Sequence, residues 1–190
     1  MAPPILWIIG GPSSGKGTQC EKIVGKYGFT HINPDEIVNR EIEAKSASGK
    51  KFEGLRSQGQ EVPFDEILPF IEKLMMEQRG GIKGFVIDGY PHTLAEANLM
   101  EQSLGSPDMI IALEILPESA GARAQSSSGG APRHSQSTYK RNAKSIFEQY
   151  SDKLVQIDGE RDVDQIFEDI VPNIDLLMKN RGGNRLPIER

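Results

Sequence analysis

The sequence predicts one doubly wound α/β domain on a five-stranded parallel sheet, and three observations carry that reading. Near-continuous apolar runs recur at residues 5–9, 84–87, 109–113 and 154–157, with a shorter one at 29–32. Helix-like amphipathic stretches separate them, and apolar strands alternating with helices are the pattern of a parallel sheet covered on both faces. A Gly-rich segment directly follows the first run, and sheets of this kind place ligands at the C-terminal ends of their strands. That rule selects residues from 10 onward, 33–36, 88–92 and 158–160.

The first strand, Ile-Leu-Trp-Ile-Ile, delivers the chain to Gly-Gly-Pro-Ser-Ser-Gly-Lys-Gly-Thr at residues 10–18. Small residues let successive backbone N–H groups point inward at phosphate oxygens, and Lys16 places a cation where the next helix begins. The spacing Gly10-x-x-x-x-Gly15-Lys16 is that of a triphosphate cradle, which makes the predicted fold P-loop NTPase-like. Gly11, Ser13, Ser14, Gly15, Lys16, Gly17 and Thr18 are therefore candidate ATP-binding residues. Gly17 stands where the general motif carries a hydroxyl, so Thr18 is the hydroxyl left for the phosphate and Mg²⁺ side.

Two stretches interrupt the strand–helix alternation. Residues 34–79 are helical in pattern, broken at 46–49 and again at 59–63, and residues 125–137 include the low-complexity run Ser-Ser-Ser-Gly-Gly. The expected organisation is a single domain with its core at about 5–33, 80–124 and 138–179. A helical insert occupies 34–79, a short lid 125–137 and a tail 180–190 without periodicity. Trp7 is expected beneath a helix, and Met75 and Met76 in core packing.

Bulk properties narrow the class. The chain has 190 residues and a net charge of −5, which disfavours nonspecific nucleic-acid binding, although residues 119–145 hold Arg123, Arg133, Lys140, Arg141 and Lys144 without an acid. Cys20 is the single cysteine, so no internal disulfide forms. The start lacks a basic region and the first apolar run ends after five residues, so neither a signal peptide nor a membrane span is expected. The expectation is a cytoplasmic monomer.

Four motifs in order, the loop at 10–19, Tyr-Gly-Phe-Thr-His-Ile at 27–32, Gly-Gln-Glu-Val-Pro at 59–63 and Gly-Phe-Val-Ile-Asp-Gly-Tyr-Pro at 84–91, make the chain resemble the adenylate kinase family, in its short cytosolic form. The resemblance covers about residues 5–178. It implies a central sheet, a monophosphate-binding helical insert, a closing lid, and reversible phosphoryl transfer from Mg·ATP to a nucleoside monophosphate. It gives Lys16 the role of phosphate lysine, Asp88 that of holding Mg²⁺ through water, Arg123, on the helix after Pro117, an ATP-binding and catalytic role, and Arg133 and Arg141 those of the catalytic arginines that reach the transferring phosphates. Pro34, Asn39, Arg40, Gln60, Val62, Gly89, His92 and Glu96 fall on its monophosphate side.

The sequence also departs from the family. Asn39 occupies a clamp arginine's place, with Arg40 one residue further on and so about 100° round a helix. His92 replaces a second arginine, exchanging a permanent fork for a group mostly neutral at pH 7. Glu96 stands where a Gln reads the base edge, and an ionised carboxylate offers acceptors only. Ser127 replaces a third arginine, and Ser13 stands where a Gly is usual. Phosphoryl transfer relies on positioned cations, each worth about 10³ to 10⁵ in rate where it touches the transferring group. The readings are a nucleoside monophosphate kinase with AMP as the expected acceptor and weakened or altered acceptor use, a catalytically impaired ATP-binding sensor, or a scaffold. His31, His134, Tyr139, Lys140 and Lys144 carry no assigned role.

Overall fold

The computed structural model describes residues 2–77, 80–126 and 136–182. They form five strands and eight helices, and the strands make one parallel sheet in the order β2-β3-β1-β4-β5. β1 (Ile5–Gly10) sits centrally, between β3 (Phe85–Asp88) and β4 (Met109–Glu114), with β2 (Thr30–Ile32) and β5 (Leu154–Asp158) at the edges. Every strand coincides with an apolar run read from the sequence.

Strand side chains alternate between faces, and here both faces are dry. Ile5, Trp7 and Ile9 of β1 join Phe85, Ile87, Ile110 and Ala112 in one core. Leu6 and Ile8 join Val86, Ile111 and Leu113 in the other. Helices α1 (Lys16–Tyr27) and α8 (Val163–Gly182) cover the second core through Cys20, Ile23, Ile166, Ile170 and Ile174. The first core is closed by α2 (Pro34–Glu43), α3 (Ala47–Ser57), α4 (Phe64–Glu77), α5 (Leu94–Leu104) and α7 (Gln136–Gln149). Trp7 is fully buried, edge-on to Tyr150 at 5.2 Å. α6 (Pro117–Ser126) follows β4.

Local chemistry sets the helix ends. Gly28 adopts the left-handed conformation that closes α1, its N–H bonding to the Val24 carbonyl. Asn33 caps α2 by accepting from the N–H groups of Asp35 and Glu36, with Pro34 at the first position where its missing N–H costs nothing.

Three expectations are corrected. The break at 46–49 is narrower, because Ser46 Oγ accepts the Gly49 N–H and so caps α3, drawing residues 47–49 into its first turn. Met76 is exposed rather than packed, while Met75 lies against the core. Residues 180–182 belong to α8, and Arg181 pairs with Asp108 at 2.7 Å while Asp108 also accepts the Ile5 N–H, tying the helix end to the start of β1. The lid expected at 125–137 falls mostly in 127–135, outside the described residues, as do Ser127, Arg133 and His134. Among the described residues no helix is long and apolar enough to cross a membrane.

Candidate active site

The strand order reverses around β1, whose C-terminal end opens onto the Gly-rich turn. Gly15 takes φ 93° and caps α1 without a side-chain bond, and the first helical N–H to find a helix acceptor is Gln19, bonded to Gly15. The N–H groups of Lys16, Gly17 and Thr18 are thus the helix-end donors that suit an anion. Nothing lies within 4 Å of the space a Cβ would take at Gly15 or Gly17, so the helix end is sterically open. Ser14 Oγ is buried without a hydrogen-bond partner.

Lys16 folds back over this loop, donating from Nζ to the carbonyls of Gly10 and Gly11 at 3.0 Å each. Burial lowers its pKa, and the negative charge of Asp88 works against that shift. Asp88 ends β3 in register with Ile8, and the Gly89 N–H donates to the Ile8 carbonyl at 2.9 Å. The carboxylate therefore lies beside the loop and Lys16. It does not cap α5: Thr93 does, accepting the Glu96 N–H at 3.2 Å. Asp88 Oδ2 instead meets His31 Nε2 at 2.9 Å, and this hydrogen bond raises the His31 pKa against the opposing effect of burial. Cys20 lies close by, its thiol pushed up by burial and by Asp88.

Arg123 joins the same centre from α6. Its guanidinium donates to the Ser13 carbonyl at 3.2 Å and to the Gly159 carbonyl at 2.8 Å, bridging the Gly-rich loop and the turn after β5. Gln136 at the start of α7 lies over Gly11, where a Cβ would overlap its carboxamide, and donates to the Ile115 carbonyl at 3.3 Å. Tyr139, one turn on, buries its hydroxyl without a hydrogen-bond partner. Arg141 is exposed on α7.

The opposite wall is built by α2, α3, α4 and the turn after β3. Tyr90 donates to Asp35 at 3.3 Å, stacks on Phe64 at 5.1 Å and lies 4.3 Å from the His92 ring. Glu96 accepts the His92 N–H at 2.8 Å and sits 3.5 Å from His92 Nδ1. Pro34 begins α2, Val62 is buried in the core and Gln60 is exposed, its N–H donating to the Leu55 carbonyl. Asn39 accepts from Arg56 Nη1 at 2.6 Å. Arg40 is exposed and 3.8 Å from Glu36.

The structure thus sets Asp88 beside Lys16, with Ser14 in the same loop and Arg123 held on the backbone of that loop at Ser13. Sequence reasoning missed the His31–Asp88 pair, Gln136 over Gly11, and Arg56. None carries a local spacing signal; each arises from contacts between distant segments. An open groove of about 570 Å³, lined by Ala2, Pro3, Met75, Met76, Phe85 and Leu104, lies at the opposite, N-terminal edge of the sheet and takes no part in this site.

The adenylate kinase family model matches residues 8–155. The chain belongs to the adenylate kinase family. Among curated relatives it is 34% identical to adenylate kinase 1 of Drosophila melanogaster over 95% of this chain and 84% of that one. It is 33% identical to adenylate kinase isoenzyme 1 of Caenorhabditis elegans over 90% and 88%. It is 30% identical to adenylate kinase isoenzyme 1 of Homo sapiens over 91% and 95%. The adenylate kinase match runs from the end of β1 through the Gly-rich loop and Asp88 to the start of β5.

Proposed function

We propose that this protein transfers the γ-phosphoryl group of Mg·ATP to a nucleoside monophosphate, with AMP as acceptor. The observation that carries the reading is the Lys16 ammonium, held on the Gly10 and Gly11 carbonyls at an open helix end with Asp88 beside it, while Arg123 grips the same loop at the Ser13 carbonyl. In the bound state the N-terminal N–H groups of α1 and the Ser14 hydroxyl take phosphate oxygens, and Lys16 exchanges its carbonyl partners for them. An acceptor phosphate oxygen attacks the γ-phosphorus in line while the bond to the bridging β-phosphate oxygen breaks. The attacking oxygen is already anionic, so no general base is needed. Lys16 and Arg123 stabilise the charge that shifts to the bridging oxygen, and Arg133 and Arg141 are assigned the same role from the lid side.

The residues fit Mg²⁺. Asp88 offers a buried carboxylate at a strand end and Thr18 an exposed hydroxyl at the loop, both hard oxygen donors. Asp88, through water, and Thr18 would hold the ion, which when bound neutralises and orients the phosphates. His31 keeps the Asp88 carboxylate in one orientation.

The alternative, an ATP-binding sensor without turnover, draws on Asn39 and His92, where neutral or pH-dependent groups replace permanent cations. One experiment separates the two. Nucleoside diphosphate formation from Mg·ATP is measured with AMP, CMP, UMP, GMP and dAMP, with Lys16→Ala as blank. Transfer to AMP above the blank is expected. Wild type indistinguishable from Lys16→Ala on every acceptor, with ATP still bound, overturns the kinase reading in favour of the sensor.

A further inference from the structure

A phosphate dianion at the acceptor side needs a cation, and the arrangement of α2 and α3 decides which one. Asn39 is neutral, and Arg40, one residue on, is turned to solvent: its side chain is 70% exposed and lies 3.8 Å from Glu36. His92 is engaged with Glu96. The cation that reaches position 39 comes from the neighbouring helix, where Arg56 Nη1 donates to Asn39 Oδ1 at 2.6 Å.

The path to that contact is written along α3. Gly49, Phe52 and Arg56 fall at i, i+3 and i+7, one stripe of the helix. Gly49 lets the stripe approach α2 where a Cβ would overlap the Glu41 carbonyl, Phe52 is fully buried behind it, and Arg56 extends from the next turn to Asn39. On α2, Asn39 shares its stripe with Asp35 at i−4, and Asp35 meets the Tyr90 hydroxyl at 3.3 Å. Arg56 is therefore delivered to the cleft face that also presents Tyr90 and His92. The Asn39 bond orients the guanidinium on this face.

We propose that Arg56 binds the phosphate of the acceptor monophosphate, supplying from α3 the permanent, forked cation that α2 lacks. The assignment rests on the kinase reading above. A guanidinium–phosphate contact is charge-assisted and worth roughly tenfold to a hundredfold in affinity. Because it holds the acceptor equally before and during transfer, its loss falls on KM rather than kcat.

The test measures steady-state kinetics with AMP and Mg·ATP, together with direct AMP binding, for wild type, Arg56→Met, Arg56→Lys and the charge control Lys50→Met on the exposed side of α3. Arg56→Met is expected to raise the AMP KM at least tenfold with kcat within threefold and the ATP KM within twofold. Arg56→Lys, which keeps the charge but not the fork, raises the AMP KM at least threefold and serves if the Met variant does not fold. Lys50→Met leaves both constants unchanged. AMP constants within twofold of wild type in the Arg56 variants overturn the assignment while the kinase reading stands. Equal losses for AMP and ATP with a lowered melting temperature show a structural role and also overturn it. A wild type that neither binds nor phosphorylates any monophosphate removes both readings together.

Discussion

Asp88 holds His31 at 2.9 Å, joining the last residue of β3 to the middle of β2 across 57 residues of sequence. The carboxylate is the charged group that acts most strongly on Lys16, and the imidazole hydrogen-bonds it. Asp88→Asn keeps the shape and removes the charge, so turnover is expected to fall at least about 100-fold, with ATP binding in the absence of metal unchanged. His31→Gln acts through Asp88 and is expected to cost about tenfold. A Mg²⁺ titration of the coupled assay checks both, and chelation by EDTA should stop turnover in the wild type while ATP remains bound.

Ser13 sits at φ 61° in the phosphate loop, a left-handed conformation that costs a side-chain-bearing residue about 1 kcal/mol. Its carbonyl is the acceptor for Arg123, so the backbone geometry is in use and the side chain pays the strain. Ser13→Gly keeps the carbonyl and relieves the strain. The expected gain is about 1 kcal/mol, or a rise of about 2–4 °C in melting temperature, without loss of ATP binding. A lowered melting temperature would show that the serine hydroxyl contributes more than the strain removes.

Glu96 has a structural duty at the start of α5 in addition to any contact with a base. Burial raises its pKa, but the hydrogen bonds from His92 outweigh that and hold the carboxyl below its usual 4.5. A folded-state value below the unfolded one means that the ionised form stabilises the fold above about pH 4.5, and that this contribution is lost as pH falls through the folded value. Glu96→Gln is therefore expected to be less stable than wild type at pH 7 by about 1 kcal/mol, with the difference disappearing toward pH 3. Melting curves across pH 3–7 check this. The same variant, offering a donor as well as an acceptor, should raise the preference for AMP over GMP.

The sheet was legible because its strands are buried on both faces and so read as unbroken apolar runs, as at residues 5–9 and 109–113. The Gly-rich turn was legible because its residues are nine in a row directly after the first strand, and Lys16 does begin α1. What local patterns could not show are pairings set by tertiary approach. His31 and Asp88 meet because β2 and β3 are parallel neighbours in register, Ile32 opposite Ile87. Arg56 carries no motif, and only the close packing of α3 on α2 reveals what it faces. Arg40, adjacent in sequence to the vacated clamp position, was the natural candidate, yet helix geometry turns it toward Glu36 and solvent. Arg181 read as tail because the stretch from 181 onward lacks periodicity, whereas its partner Asp108 lies on another segment.

Gly49 is the small residue on which the close approach of α3 to α2 depends. It sits in the first turn of α3, its N–H satisfied by Ser46 Oγ at 2.9 Å, and its α-carbon packs where a methyl group would overlap the Glu41 carbonyl. Backbone cannot yield there as a flexible side chain would, so Gly49→Ala must push α3 away from α2. Overpacking of this kind costs about 2–3 kcal/mol, which corresponds to a fall of roughly 5–10 °C in melting temperature for a chain of this size. The displacement also carries Arg56 out of reach of Asn39, since both contacts lie on one stripe of α3. The AMP KM is therefore expected to rise at least fivefold while the ATP KM, set by the loop at residues 10–18 on the other wall, stays within twofold. Gly54→Ala on the same helix is the comparison, because a Cβ at Gly54 meets nothing within 4 Å and alanine favours helix. It should leave the AMP KM unchanged and raise the melting temperature slightly. If Gly49→Ala and Gly54→Ala behave alike in both measurements, the α2–α3 contact does not set the acceptor site.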